Sequence, residues 1–365
     1  MILPVFSPSG SLDSLSELID SIVSKHRPEG LVVFGGTEND FNDSAMDRFL
    51  KELSLPIGGG LFPAILYDNK VHSSGWIIHA VYGDFSAVFT DNISGNKDFH
   101  YETKPVGTSM VIVDGHAQKI SSFLQAVYAD SSISTNFFGG GAGSLASSDR
   151  RCIVSNQGLK SDAAVVLHFG SESGIGVAHG WKPASKIFRV TAAEGNIVHE
   201  LDYRPALEVY TELVKTEFSA TVDPADLIGT ASMFPLGIRR IGGSLIVRDP
   251  IAVTETGGLI CVGEFDNDSF VYLLTSDIQT LLNASLEATQ LAVNDLPAKA
   301  GFKVVFDCIS RFLLMQKDFD SELTLLAQDG VPVAGVLSIG EIASNNQGCL
   351  EFYNKTTAVA AFSGD

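Results

Sequence analysis

The chain has 365 residues, of which 45% are hydrophobic and 18% are charged, so it has ample material for buried cores and a length typical of about two domains. Its net charge of −19 excludes the clustered basic surface on which binding to nucleic acid or to anionic lipid depends. No apolar run approaches the ~20 residues of a membrane-spanning helix, and the first ten residues lack a basic signal-peptide start. We therefore expect a cytoplasmic protein without membrane insertion.

The first elements predicted along the chain form a pattern that returns later. Residues 12–26 place apolar side chains on one helical stripe behind Ser11, and residues 31–34 form a short apolar strand. A helix near residues 44–53 and a glycine-rich strand follow. The pattern recurs around residues 111–141 and again around 278–342. Residues 94–104 are polar and predict an exposed loop.

A strand-rich middle lies between the later copies, at residues 174–203 and 238–274, and a helix at residues 205–218 divides it. Its glycine-containing turns favour antiparallel hairpins. We predict an α/β (α+β) fold of two related mixed-sheet domains with flanking helices and an internal repeat. The predicted domains are residues 1–203 and 204–365.

The cysteines give no sign of a disulfide framework or a structural zinc site. They lie far apart, and none belongs to a CxxC pair or a Cys/His cluster. This spacing favours a reducing compartment. The four are Cys152, Cys261, Cys308 and Cys349.

Two glycine clusters are candidate ligand-binding segments. Gly58 and Gly59 belong to the first, and Gly139 and Gly140 belong to the second. Glycine backbone could expose amide groups to a carboxylate or phosphate, but neither cluster has the spacing of a P-loop or a dinucleotide fingerprint. The alternative, a close approach of two backbones, is equally compatible with the sequence.

His179 and Trp181 flank a glycine and would project to the same side of an extended segment. An apolar wall with one titratable nitrogen suits a small-molecule pocket, or a haem if His179 were its ligand. The alternative is a core tryptophan beside a hydrogen-bonded histidine. The other histidines show no metal-ligand spacing, so we predict no metal site apart from that haem possibility.

Cys308 and Arg311 follow an apolar strand, where a helix N-terminus and a guanidinium could lower the pKa of the thiol and bind an anion. Cys308 is thus a candidate nucleophile, although a buried structural thiol is favoured. Arg311 could bind a ligand carboxylate or pair with Asp307 or Glu341.

Arg248 and Glu341 complete the candidate binding residues. An inward-facing Arg248 would need a ligand or an acidic partner, because a lone buried charge is costly. Glu341 follows a glycine in a predicted strand and could equally be structural. No triad order, HExxH motif, kinase signature or close carboxylate pair is present, so the sequence does not support an enzyme.

Several stretches together resemble the FIST sensory-domain family. Residues 174–210 resemble the end of its first half, and residues 234–250 resemble its second half. Further similarities lie at residues 308–311, at residues 338–341 and at residues 354–356. The two predicted domains would then be the N-terminal and C-terminal parts of a FIST protein.

The resemblance implies sensing of a small ligand, with amino acids as the suggested class, and signalling through a separate protein such as a histidine kinase. Some members of the family that the chain resembles are haem-based nitric-oxide sensors that regulate a histidine kinase, which is a second possibility. An enzyme with Cys308 as nucleophile is a third. The cofactor is left open by the sequence.

Overall fold

The computed structural model of the chain describes residues 4–96, 99, 107–131, 135–148, 150–240, 243–345 and 349–364, and the predicted loop at residues 94–104 lies mostly outside them. The described strands form three six-stranded sheets and one nine-stranded sheet, with helices on their faces. This architecture confirms the predicted mixed α/β fold. Within the described stretches, the helices lack the combined length and apolar character that crossing a membrane requires.

The first structural unit, unit 1, is built around two parallel strands joined by a helix. Its first helix begins after Ser11, whose hydroxyl accepts a hydrogen bond from the Ser14 amide, and it buries Leu15 and Ile19. The parallel strands are buried on both faces, which explains their continuous apolar and glycine sequences. The elements are β1 (Val5–Ser7), α1 (Leu12–His26), β2 (Gly30–Gly36), α2 (Asp43–Glu52), β3 (Ile57–Phe62), β4 (Ala64–Tyr67), β5 (Lys70–His72) and β6 (Trp76–Val81).

Unit 2 repeats the same plan. Its two central strands are again parallel, and the helix between them buries Phe123, Leu124 and Val127. The elements are β7 (Phe85–Thr90), β8 (Thr108–Asp114), α3 (Ile120–Ala129), β9 (Asn136–Ala142), β10 (Ile153–Ser155), β11 (Gly158–Lys160) and β12 (Ala164–Phe169).

Unit 3 begins with β13 (Ser173–Ala178), after which the chain forms the nine-stranded sheet, here called the inserted sheet. Its strand pairs are antiparallel, as its turn signals predict. The predicted domain boundary between residues 203 and 204 falls inside this sheet, between its third and fourth strands, and stays a prediction. The elements are β14 (Lys182–Pro183), β15 (Phe188–Glu194), β16 (Ile197–Leu201), β17 (Arg204–Pro205), α4 (Ala206–Phe218), α5 (Leu227–Ala231), β18 (Leu236–Arg239), β19 (Leu245–Arg248), β20 (Pro250–Val253), β21 (Leu259–Cys261) and β22 (Phe270–Thr275).

The chain then returns to complete unit 3. The predicted strand at residues 333–342 proves to be two strands, because the backbone turns at Gly340, with φ of 83°, and crosses to another sheet. The elements are α6 (Ile278–Asp295), β23 (Ala300–Cys308), α7 (Ile309–Met315), α8 (Phe319–Leu326), β24 (Val333–Ser338), β25 (Glu341–Asn345), β26 (Cys349–Tyr353) and β27 (Thr357–Ser363).

Each unit contributes a hairpin to the sheet of another unit. The β4–β5 hairpin of unit 1 pairs with β24 of unit 3, β10–β11 of unit 2 pairs with β3 of unit 1, and β25–β26 of unit 3 pairs with β9 of unit 2. The three six-stranded sheets consequently have matching orders, of which the first is β1-β6-β2-β3-β10-β11. The exchange is cyclic, so the three units form an interlocked pseudo-threefold core.

A valine and a glycine face each other at the centre of each parallel pair: Val33 and Gly59, Val111 and Gly139, and Val305 and Gly335. A Cβ atom added at these glycines would lie 1.8, 1.8 and 2.1 Å from the facing valine carbonyl oxygen. The common plan therefore requires glycine here for close backbone approach.

The three units meet at a cluster of phenylalanine rings. Phe306 of unit 3 lies 5.7 Å from Phe34 and 5.9 Å from Phe62 of unit 1, measured between ring centres. Phe138 of unit 2 lies 6.0 Å from Phe306. The edge-to-face arrangement of these rings is the one that aromatic pairs favour, and it makes the centre of the core apolar.

Candidate functional site

The polar interior of the protein lies where the inserted sheet packs on the carboxyl ends of the parallel strands of unit 3. Ligands of mixed and parallel sheets commonly bind at that edge. Two groups of side chains meet there, which we call the Arg311 cluster and the junction site. Their buried charged residues are Asp249, Asp307, Arg311, Glu322, Glu341 and Lys355.

The Arg311 cluster consists of Ser285, Asp307, Arg311, Glu322 and Thr357. The guanidinium Nη2 of Arg311 donates to Glu322 Oε1 at 2.7 Å and to the Ser285 hydroxyl at 2.7 Å. Its Nε lies 3.2 Å from Asp307 Oδ1. Arg311, Asp307 and Glu322 are fully buried. The guanidinium therefore joins α6, α7 and α8 to the end of β23.

The Arg311 guanidinium also donates to two backbone oxygens. Its Nη2 donates to the carbonyl of Leu281 at 2.9 Å, and its Nη1 donates to the carbonyl of His179 at 3.4 Å. The guanidinium is thus committed to groups of the protein. Its geometry assigns Arg311 a positioning role for the segment that leads to Trp181.

Two carboxyl groups share this single guanidinium. Burial, followed by the negative charge of Glu322, raises the pKa of Asp307 well above its ordinary value. Within the described part of the chain, Asp307 Oδ2 and Glu322 Oε2 have no hydrogen-bond partner. Burial also raises the pKa of Glu341, which accepts a hydrogen bond from the Ser338 hydroxyl at 2.9 Å. Burial therefore favours the protonated forms of Asp307 and Glu341.

The junction site consists of Trp181, Asp249, Ser310, Asn354 and Lys355. Lys355 Nζ lies 3.0 Å from Asp249 Oδ2, and that oxygen also accepts a hydrogen bond from the Ser310 hydroxyl at 3.2 Å. The same ammonium lies 5.5 Å from the ring centre of Trp181, within reach of a cation–π interaction. Asp249 comes from the inserted sheet and Lys355 from unit 3, so this ion pair joins the two parts.

Four buried polar atoms of the junction site have no hydrogen-bond partner among the described residues. They are Nε1 of Trp181, Oδ1 of Asp249, and Nδ2 and Oδ1 of Asn354. As whole residues, Trp181, Asp249 and Asn354 are 3%, 7% and 2% exposed. Buried polar groups are almost always hydrogen-bonded, so these are the atoms that a bound polar molecule would satisfy.

His179 is positioned by a tight turn. The expectation that His179 and Trp181 project from one extended strand is wrong, because β13 ends at Ala178 and Gly180 adopts φ of 73°. His179 Nδ1 accepts a hydrogen bond from the Trp181 amide at 2.9 Å. Burial and the charge of Arg311 lower the pKa of His179 to about 4, so the ring is neutral at physiological pH.

Haem ligation through His179 does not fit this arrangement. Axial ligation requires a ring nitrogen that is free to bind iron. Nδ1 is engaged by the Trp181 amide, and the imidazole also forms a hydrogen bond with the backbone of Leu245. Among the described residues, no group of histidine, cysteine and acidic side chains is arranged to hold a metal ion.

Cys308 lies at the end of β23, and its thiol is buried. Burial, followed by the negative charge of Glu341, raises the pKa of this thiol. This direction is opposite to the lowering that a position before a helix and near Arg311 suggested. Desolvation and the acid outweigh the helix terminus because the thiol has no contact with solvent.

Arg248 precedes Asp249 but its side chain points elsewhere. It donates to the carbonyl of Phe352 at 2.8 Å and to the carbonyl of Glu264 at 3.1 Å. Burial, followed by the charge of Arg240, lowers the pKa of Arg248 to about 10. Arg248 therefore links the inserted sheet to β26 by a hydrogen bond. It precedes the junction-site residue Asp249 in the chain.

The predicted glycine residues divide between the site and the sheet interior. A Cβ atom at Gly140 would lie 3.0 Å from the Cβ atom of Ser338, so Gly140 borders the strand end of unit 3. Gly59 and Gly139 occupy the close strand approaches described above. Gly58 packs against Leu167 of unit 2. These contacts supply a packing reason for each glycine.

The structure thus brings together five predicted residues, which are His179, Trp181, Cys308, Arg311 and Glu341. Sequence reasoning missed the contacts of Lys355 with Trp181 and Asp249, and the hydrogen bond from Ser310 to Asp249. Two signals were present: the Arg248-Asp249 pair on a strand, and the lysine in the polar turn at residues 354–356 between two largely apolar segments.

The fold and the site define a mixed-sheet protein with a buried polar site between two parts of one chain. Two family models identify it further: the FIST N domain matches residues 97–204, and the FIST C domain matches residues 206–344. The chain belongs to the FIST domain family, whose domains are associated with sensing in signal transduction. Unit 1 lies outside both matches yet follows the same plan.

One curated relative is an uncharacterized protein of Methanocaldococcus jannaschii. It is 28% identical over 125 residues, which are 31% of this chain. The match covers 24% of that protein, so the chain spans about a quarter of the relative's length. The name of this relative states no activity, so the similarity does not indicate one for the chain.

Proposed function

We propose that the protein is a cytoplasmic sensor that binds a small polar ligand at the junction site and signals through a separate protein. The observation that carries this proposal is the group of buried atoms on Trp181, Asp249 and Asn354 that have no hydrogen-bond partner in the described part of the chain. The three buried free thiols, Cys152, Cys261 and Cys308, support a reducing compartment.

The chemistry of the site favours a ligand with both a negative and a positive group. Trp181 Nε1, Asn354 Nδ2 and the ammonium of Lys355 can donate to a carboxylate. Asp249 Oδ1 and Asn354 Oδ1 can accept from an ammonium group. An α-amino acid combines both groups, so amino acids are the proposed ligand class.

The position of the site supplies a route to signalling. A ligand shifts a conformational equilibrium only through a difference in its interactions with the two states. Here it would contact Asp249 on the inserted sheet and Lys355 or Asn354 on unit 3. Binding would therefore stabilise one placement of the inserted sheet on the core, and a partner such as a histidine kinase would read that placement.

We also propose that the protein is not an enzyme. The raised pKa of the Cys308 thiol disfavours a nucleophilic thiolate at neutral pH. Thiol titration with a chromogenic disulfide would test this at pH 7, with urea-unfolded protein as the reference. Rapid reaction of Cys308 in the folded protein would contradict the proposal.

The decisive test combines native mass spectrometry of freshly purified protein with calorimetric titration of the twenty amino acids. We expect one amino acid to bind and to raise the melting temperature. Trp181→Phe keeps an aromatic ring but removes the indole N–H donor. Affinity should therefore fall about tenfold, corresponding to about 1.4 kcal/mol for one hydrogen bond.

Trp76→Phe is the matched control. The Trp76 indole donates to the carbonyl of Ser11 at 3.0 Å within unit 1, away from the junction site. That variant should lose stability and retain affinity. The sensor proposal fails if no amino acid binds and no retained small molecule is found, or if both tryptophan variants lose affinity equally.

A further inference from the structure

An open groove lies on the inserted sheet, on the outer side of α4. Its volume is about 540 Å³, and it runs between α4, the short turn at Pro224 and the turn that joins β20 to β21. Carbon-rich side chains line it together with two glutamates and one lysine. The lining includes Pro205, Leu207, Glu208, Thr211, Glu212 and Lys215.

The groove lies in a stretch of the chain that is acidic overall, although Lys215 lines it beside the two glutamates. Glu208 and Glu212 both accept from the Arg204 guanidinium, yet their side chains remain 59% and 60% exposed. Residues 199–226 contain seven acidic and two basic side chains. Because exposed ion pairs contribute little to stability, the two glutamates are available to an incoming cation.

Two large exposed side chains lie close along the chain to residues of the groove. Tyr203 is 74% exposed and Ile228 is 60% exposed. Tyr203 and the preceding Asp202 adopt φ of 64° and 49°, a backbone region that non-glycine residues rarely occupy. Both residues form the two-residue turn that joins β16 to β17, and the favoured turn of this length requires positive φ at both positions.

The groove is connected to the junction site through one strand. Asp249 immediately precedes β20, and the turn after β20 carries Gly257 into the groove wall. The carbonyl of Gly257 accepts a hydrogen bond from the Leu207 amide at 3.1 Å. A change at Asp249 can therefore reach the first turn of α4 through β20.

We propose that this groove is the docking surface for a basic amphipathic helix of a partner protein. Apolar side chains of such a helix would enter the groove, and its lysine or arginine residues would pair with Glu208 and Glu212. The signalling role of the partner rests on the proposed sensor function, whereas the docking chemistry rests on the groove alone.

The test is fluorescence anisotropy on the full chain, with a fluorescein-labelled helical peptide of leucine and lysine as the probe. The double variant Glu208→Lys/Glu212→Lys should weaken binding on the order of tenfold. Glu17→Lys/Asp20→Lys makes the same change of charge on the exposed face of α1 and should change affinity less than twofold. Circular dichroism should show each variant folded.

Thr211→Glu separates docking in the groove from general attraction to an acidic protein. It adds negative charge, so simple attraction would strengthen binding, while a filled groove should weaken binding about fivefold. The proposal is overturned if the peptide does not bind, if the α1 reversal weakens binding as much as the groove reversal, or if Thr211→Glu strengthens it. These outcomes hold whether or not the junction site binds an amino acid.

Discussion

Units 1 and 3 share one backbone plan but differ in the residues at their strand ends. The Gly36 amide donates to Gly75 in unit 1 at 3.2 Å, and the Cys308 amide donates to Thr356 in unit 3 at the same distance. By this correspondence, Asp307 replaces a glycine of unit 1, Gly35. The plan therefore folds without buried charge, as unit 1 shows.

The comparison of units 1 and 3 shows that the backbone plan does not require buried charged residues at the strand ends. Buried charges are expensive and are often replaceable by apolar residues without loss of stability. Their concentration at the strand ends of unit 3 distinguishes this unit from unit 1 and supports the proposed junction site. The corresponding lysine position supports this, because Lys355 stands where unit 1 has Ser74.

The largest expected effect concerns whether parts of the chain can fold without each other, although the three units share one backbone plan. We expect neither residues 1–203 nor residues 204–365 to fold cooperatively when expressed alone. The first fragment would leave its β4–β5 hairpin without β24, and the second would leave β25 without β9. Unpaired strand edges of this kind promote aggregation.

Near-ultraviolet circular dichroism and urea titration of the separate and co-expressed fragments measure this. Co-expression should restore a single cooperative transition if the hairpins find their sheets. A sharp transition in either fragment alone would show that the predicted boundary separates autonomous domains.

The next largest effect should come from the charge that distinguishes unit 3. Arg311→Met leaves Asp307 and Glu322 buried without their cation, so the free energy of unfolding should fall by about 3–5 kcal/mol. Urea denaturation measures the change. Arg189→Met, which removes an exposed ion pair with Asp268, is the control and should have a much smaller effect. Equal effects would refute the structural assignment of Arg311.

If Arg311 bound a ligand carboxylate, its removal would weaken ligand binding more than it reduces stability. The structure instead supports the other possibility left open by the sequence, a pair with Asp307. The sequence cannot show that each nitrogen of the Arg311 guanidinium donates to a group of the protein. Its partners Ser285 and Leu281 lie on α6, Glu322 lies on α8, and His179 follows β13. Their contact depends on packing that has no local signal.

The common plan itself can be tested at its glycines. Gly59→Ala and Gly335→Ala each place a methyl group about 2 Å from a valine carbonyl oxygen, so each should cost about 3 kcal/mol of stability. Gly330→Ala has open space but a positive φ of 75°, and it should cost about 1 kcal/mol. Thermal unfolding of the three variants gives the ranking. If Gly335→Ala left stability unchanged while Gly59→Ala lowered it, the two glycines would not be structurally equivalent.

The repeated pattern of strand, helix and glycine-rich strand was readable because it depends on local periodicity and on glycine. The confirmed fold class follows from it. The hairpin exchange was not readable, because the pairing of residues 64–72 with a strand near residue 334 joins segments with no mutual sequence mark. The same limitation hid Asp249 as the partner of Lys355.

The smallest effect concerns the one titratable side chain in the apolar core of unit 1. His79 is fully buried, and neither ring nitrogen has a partner among the described residues. Its ring centre lies 5.5 Å from that of Phe34. By the strand register, unit 2 has Leu167 at this position. His79→Leu should therefore raise stability by about 1–2 kcal/mol at pH 7, because it removes unsatisfied polar atoms.

The pH dependence follows from the same burial, which lowers the pKa of His79 from 6.5 to about 3. As pH falls below 6.5, the unfolded chain binds a proton that the folded chain does not, so stability decreases until about pH 3. The gain from His79→Leu should consequently grow between pH 7 and pH 4 in urea titrations. The exposed His26→Leu should show no such growth. A constant gain across this range would mean that His79 is protonated or solvated in the folded protein, and that the core of unit 1 is less apolar than its correspondence with unit 2 implies.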